Sequence, residues 1–239
     1  MMRNIRAVSY SILLVFLVLF LSALTLTVVS GGEFGGDYFI LESLLSMVVG
    51  YLGAYMFTEM ALGKSRSYGK FLLEDTLSLR KFTLATGVPL VSIFLTAVST
   101  AILLPLLGGD VGVNQTTQEL TKYTGTLSIF VSVLYPVIFA PFFEESIFRG
   151  LIGKFFGLGR GESTKGTKVA FVLTSSLVFG LLHMQTTGSS FAIVNSVVSP
   201  AMGGLVFSTE YLYLKDLRYN MYSHALYNGL IVLVQFILV

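Results

Sequence analysis

The chain has 239 residues, of which 54% are hydrophobic and 12% charged, with a formal net charge of +2 and a mean hydropathy of +0.81. Soluble domains average roughly 45–50% apolar and about 25% charged residues, so an ordinary soluble fold is excluded. The basic residues sit in short clusters between apolar runs and form no continuous stripe, so no nucleic-acid partner is expected. Cysteine is absent, which removes disulfides and thiolate ligands and restricts any metal site to His, carboxylate, amide or water.

A membrane-spanning helix needs about 20 predominantly apolar residues. The first run that qualifies covers 7–30 and follows Arg3 and Arg6; it is too long for the h-region of a signal peptide, about 7–15 residues, and is expected to be a retained span. Further spans are predicted over 39–62, 83–107, 126–152, 168–186, 190–214 and 221–239, seven in all with six to eight as bounds. Between the second and third, 67–81 mixes Leu and Phe with charges and is expected at the cytoplasmic interface. Pro200 and Gly203-Gly204 interrupt the sixth span, which predicts either a kinked helix or two shorter pieces. The fold class is therefore an all-α polytopic membrane protein, one bundle over 1–239 with a motif core at 126–239 and an intramembrane cavity.

Alternate connections differ in charge. Arg3 and Arg6; Lys64, Arg66, Lys70, Arg80 and Lys81; Arg149, Lys154, Arg160, Lys165 and Lys168; and Lys215 and Arg218 fall on one side, and Lys122 alone on the other. Because cytoplasmic loops carry the Lys/Arg excess, the N-terminus and the 63–82 and 153–168 connections are expected in the cytoplasm.

An ionisable residue at the centre of a span costs about 2.5–3.5 kcal/mol on insertion scales and marks a candidate functional site. Glu42, Glu59 and Glu210 lie near span ends, where a long side chain can reach the headgroups. The remaining candidates fall in three motifs. Glu144-Glu145 followed by Arg149 places Glu145 and Arg149 on one helix face as a pair, while Glu144 is turned about 100° away. Two adjacent carboxylates in a low dielectric suit a general acid or base; the structural alternative is an ion pair at a membrane boundary. Phe179 and His183 share a face four residues apart, a pattern that on its own fits a hydrogen-bonded structural His. His224 and Asn228 sit one turn apart on the last helix and could polarise a carbonyl oxygen together, or serve as interhelical hydrogen-bonding residues.

The two histidines of the chain both fall in these motifs. The pattern Glu144-Glu145-xxx-Arg149, Phe179-xxx-His183 and His224-xxx-Asn228 resembles the CPBP family of CAAX proteases and bacteriocin-processing (Abi) enzymes, which includes the type II CAAX prenyl endopeptidases. The resemblance runs from residue 144 to residue 228. It implies an intramembrane endopeptidase in which Glu144 and His183 activate water and His224 and Asn228 hold the carbonyl oxygen. Glu145 then supports the site and is braced by Arg149, with Phe179 as structural support. The family is also described as metalloproteases, and Glu144, His183 and His224 are a permissible Zn²⁺ set with an open position; no His-Glu-x-x-His pair is present, and zinc-bound and metal-free readings both stand. The implied partners are membrane lipid and a peptide or lipidated protein cut near its C-terminus, with oligomeric state undetermined. A proton-coupled transporter using the same Glu and His residues and a non-catalytic scaffold are the competing classes.

For these residues to meet, the fourth and fifth helices must run antiparallel and past the bilayer. If the fourth ends near Phe156 and the fifth begins near Lys168, Glu144 and His183 are out of register by about three residues, about 4.5 Å at 1.5 Å per residue. The polar stretch 185–190 is then at membrane depth or beside water, and the site lies nearer the cytoplasm and opens toward it.

Overall fold

A computed structural model describes residues 2–30, 39–62, 77–108, 133–158 and 163–238, without side-chain detail at 2, 30, 39–43 and 235–238. The described residues form helices: α1 (Met2–Ser30), α2 (Phe39–Leu62), α3 (Leu79–Leu107), α4 (135–155), α5 (Lys165–Leu182), α6 (Ser190–Leu214) and α7 (Leu217–Leu238). The seven predicted spans each correspond to one helix, in an all-α polytopic membrane protein. The proposed interfacial stretch 67–81 lies largely outside the described residues, as do Lys122 and the beginning of the predicted fourth span.

Length and apolarity suffice for crossing a membrane in α1, α2, α3, α5 and α6. These helices turn apolar side chains outward, among them Phe16, Phe20, Phe94 and Leu106, as a lipid solvent allows. α4 is different. It carries Glu144, Glu145, Arg149 and Lys154 within its length, and all but Glu144 are buried. Its polar residues are turned into the bundle, where intramembrane charges belong.

α6 remains one helix through Pro200, which settles the expectation of two pieces. Close packing of α5 on α6 explains the small residues nearby. A Cβ at Gly180 would collide with the backbone carbonyl of Val197 and come within 2.8 Å of Ala201, and one at Gly204 would come within 2.9 Å of Ser176. α5 and α6 therefore pack backbone against backbone, as small residues permit in membranes. The α6–α7 corner is equally tight. Lys215 takes a left-handed conformation, φ 58°, and its amide closes on Tyr211 O. Asp216 then accepts from the Arg218 amide at 3.0 Å, covering a free amide at the start of α7.

One apolar cluster joins Leu14 of α1, Ala54 of α2, Phe148, Leu151 and Phe155 of α4, Phe171 and Phe179 of α5, and Tyr211 of α6. Polar links cross the same boundary. Lys154 pairs with Glu59 at 3.6 Å, and Arg3 donates to Phe156 O at 3.4 Å. Glu59, partly exposed near the end of α2, thus pairs with a cation of α4; Glu42 lies outside the described side chains. Lys154 and Arg149 are interior ion-pair partners, so the charge asymmetry of the connections rests on the other basic residues.

Candidate active site

The site begins with a defect in α4. Residues Tyr135–Phe139 and Ser146–Leu151 are wound as π-helix on either side of the α-helical turn Ala140–Glu145. Such bulges are rare and concentrate at functional sites. In the first, the Ala140 amide bonds Tyr135 O, five residues back. The next amide in that pattern would serve Pro136 O, but residue 141 is proline and has none to give. Asn228 of α7 supplies the missing donor, its Nδ2 donating to Pro136 O at 2.6 Å.

The two adjacent carboxylates then separate as their helical offset requires. Glu145 is fully buried, and Arg149, also fully buried, donates through Nη1 to Glu145 Oε1 at 2.9 Å. The second arm of the guanidinium donates to Gly204 O in α6 at 3.3 Å. Its cation lies 5.0 Å from the Phe179 ring centroid and 5.6 Å from that of Phe207. Glu144 keeps 20% of its side-chain surface exposed.

His224 lies between the pair. Its Nδ1 is 2.8 Å from Glu145 Oε1, and its Nε2 is 3.7 Å from Glu144 Oε2. The second distance is too long for a hydrogen bond, so neither group uses up the other's capacity. The His224 ring lies nearly parallel to Phe207, at 22° with centroids 4.8 Å apart, and meets Phe179 edge-on at 6.0 Å.

His183 ends α5. Its Nδ1 is 2.9 Å from Phe179 O; a carbonyl can only accept, so Nδ1 carries the hydrogen and Nε2 of a neutral ring offers a lone pair. The register of α4 and α5 can be read from Ser175, whose hydroxyl donates to Phe148 O at 3.0 Å. Counting in opposite directions along antiparallel helices puts Phe179 level with Glu144 and His183 about one turn, about 6 Å, beyond it. That is close to the offset the sequence suggests. The ring of Phe179, 4.7 Å from His183, touches both histidines.

Glu144, Glu145, Arg149, Phe179, His183, His224 and Asn228 therefore surround one region formed by α4, α5, α6 and α7. His224 and Asn228 do not address a common atom here, since each is engaged with α4. Among the described residues, no three His, Asp or Glu are grouped as a metal site, so the zinc set of Glu144, His183 and His224 gains no support.

Two participants escaped the sequence reading. Phe207, which stacks on His224, lies in an apolar run and carries no mark of its own. Glu210 was expected at the headgroups, yet it is buried, accepting from Ser223 Oγ at 2.5 Å and from Asn220 Nδ2 at 3.1 Å. It lies three residues after Phe207, which itself carries no mark, so the sequence offers no signal that draws it toward the site.

A family model described as type II CAAX prenyl endopeptidase Rce1-like matches residues 126–230. The membrane-embedded CAAX protease MroQ of Staphylococcus aureus (strain USA300) is 30% identical over 153 residues, which covers 62% of this chain and 56% of that protein. The chain thus matches little more than half the length of this relative. No solved structure matches it significantly. The matched segment takes in α4 through most of α7, the four helices around the candidate site, and over residues 126–230 the chain is similar to the Rce1-like type II CAAX prenyl endopeptidases.

Proposed function

We propose that this protein is an intramembrane CAAX-type endopeptidase, acting on a peptide bond near the C-terminus of a membrane-associated, lipidated protein. The observation that carries the reading is the setting of His224. One ring nitrogen is fixed on the buried, Arg-braced Glu145, and the other faces the accessible Glu144 at 3.7 Å.

Peptide hydrolysis needs a base for water and donors for the oxygen that becomes negative. Glu144 takes a proton from water, with the Nε2 lone pair of His183 helping to orient that water. The hydroxide oxygen bonds to the carbonyl carbon as the C=O electron pair moves onto oxygen. His224, held between Glu144 and Glu145, presents Nε2–H to that oxygen. Asn228 contributes the second Nδ2 hydrogen, its first being held by Pro136 O. The intermediate collapses with cleavage of the C–N bond, and Glu144 returns its proton to the leaving amine. Glu145 and Arg149 remain outside this exchange and hold the His224 ring.

The basic connections support a cytoplasmic N-terminus and a site opening to the cytoplasmic side. The test uses purified protein in liposomes with a farnesylated and an unfarnesylated peptide ending in a CAAX sequence, the products identified by mass. Cleavage of the farnesylated peptide by the parent, and none by Glu144→Ala, is expected. Dissipation of a proton gradient without cleavage would overturn the reading in favour of a transporter; neither activity would favour a scaffold.

A further inference from the structure

We infer that Glu210 is a positioning residue that fixes the plane of the His224 ring by holding α6 against α7. The inference rests on the proposed role of His224 for its catalytic meaning, but not for its geometry.

Glu210 lies in α6, one turn after Phe207. Its side chain is 6% exposed, and no step of the proposed hydrolysis uses it. Its two oxygens are both engaged by α7: Oε1 accepts from Ser223 Oγ and Oε2 from Asn220 Nδ2. Ser223 immediately precedes His224 in sequence, and Asn220 lies one turn before it on the same helix. Asn220 Nδ2 also donates to Phe207 O, at 2.7 Å. The amide of one side chain therefore ties together the backbone of the residue that stacks on His224 and the carboxylate one turn further along α6.

The third helix at this junction is α3. Ser223 Oγ is 3.0 Å from Ala85 O. Nearby, the Ser78 amide donates to Tyr219 Oη at 2.6 Å, and Lys81 Nζ donates to Leu214 O at 2.9 Å. α7 is consequently fixed on two sides just before His224.

The consequence follows from the ring contacts. His224 is set by a hydrogen bond at one edge, to Glu145, and by a parallel ring on one face, Phe207. The first depends on α4 and the second on the relative placement of α6 and α7, which the Glu210–Asn220–Ser223 cluster holds. A carboxamide at 210 can keep the arrangement: Gln Oε1 accepts from Asn220, and Gln Nε2 donates to Ser223 Oγ, whose hydrogen is then free for Ala85 O. Alanine can do neither.

The chain's two histidines make this directly observable, since ¹⁵N-histidine labelling of the full chain in micelles gives one pair of ring signals for each of two sites. Glu210→Ala is expected to shift or broaden the His224 signals and leave those of His183 unchanged. Glu210→Gln should restore the parental His224 signals, and Thr209→Ala, on the exposed face of α6, should alter neither pair. Should Glu210→Ala not fold, Ser223→Ala removes a donor to the same carboxylate and is expected to move the same signals. With the cleavable peptide, Glu210→Ala should lower kcat about 10–100-fold with little change in KM, and Glu210→Gln should recover it. Unchanged His224 signals in Glu210→Ala, or equal shifts at both histidines, would overturn the positioning role whether or not the protein cleaves peptides. Absence of cleavage in the parent, with the histidine signals responding as expected, would overturn the proposed hydrolysis alone.

Discussion

Arg149→Ala isolates the electrostatic core of the site. The parent guanidinium is fully buried and bonds Glu145, itself fully buried, at 2.9 Å. It also bonds Gly204 O, which links α4 to α6. Truncation leaves the Glu145 carboxylate with His224 as its remaining partner. Removing one member of a buried pair typically costs about 3–5 kcal/mol. The lost bond to Gly204 O, about 1 kcal/mol, and the lost contacts with Phe179 and Phe207, about 0.5–2 kcal/mol, overlap with that figure and place the expected cost at its upper end. Against a typical total stability of about 5–15 kcal/mol, this is a severe loss. Equilibrium unfolding in mixed micelles, followed by far-ultraviolet circular dichroism, reads it. Adding Glu145→Gln to Arg149→Ala removes the orphaned charge while keeping an oxygen for His224 Nδ1, and is expected to recover at least about 2 kcal/mol, within the range of coupling for contacting residues. A cost below about 1 kcal/mol for Arg149→Ala, or a double variant no better than the single, would refute the bracing role.

Glu144→Ala and His183→Ala should each abolish cleavage while moving the unfolding midpoint by less than about 1 kcal/mol, because Glu144 is partly exposed and His183 exposed; comparable destabilisation would make them structural. Asn228→Ala should lower kcat by about 10²–10³ if it is an oxyanion donor, and lower stability by about 1–3 kcal/mol by leaving Pro136 O unsatisfied. Adding His224→Ala should cost less than the product of the two kinetic effects, and a change confined to KM would remove Asn228 from the oxyanion site. A cysteine at Ser163, in a chain with no other, should resist an impermeant thiol reagent applied outside intact cells, and labelling there would reverse the topology.

The helix plan was legible because most spans are long apolar runs, and the Glu145–Arg149 pair because four residues make about one turn. The offset between Glu144 and His183 followed from connection lengths alone. Other features were hidden for identifiable reasons. A π-turn leaves no hydrophobic pattern, so nothing in the sequence revealed that Pro136 O would be short of a donor, and the position of Pro141 acquires that meaning only once the five-residue bonding is known. Glu210 was misplaced by the rule that long side chains near span ends reach for the headgroups. The rule fails where partners lie within the bundle, as Ser223 and Asn220 do for Glu210.

Why two adjacent glutamates serve one site follows from their different surroundings. The roughly 100° step between neighbours on a helix means that they cannot share a face. One therefore reaches the arginine one turn along, while the other keeps part of its surface exposed. Glu145, with Arg149 against Oε1 and His224 Nδ1 against the same oxygen, is committed to structure. Glu144, partly exposed and beyond hydrogen-bond reach of His224 Nε2, keeps its lone pairs for a water or a substrate. An aspartate at 145 would shorten the arm by one methylene and draw the carboxylate back from both Arg149 and His224, whereas an aspartate at 144 would withdraw only the accessible group. The first should be read in stability and in the His224 ring signals, the second in turnover alone, and that contrast separates the two roles within a single dipeptide.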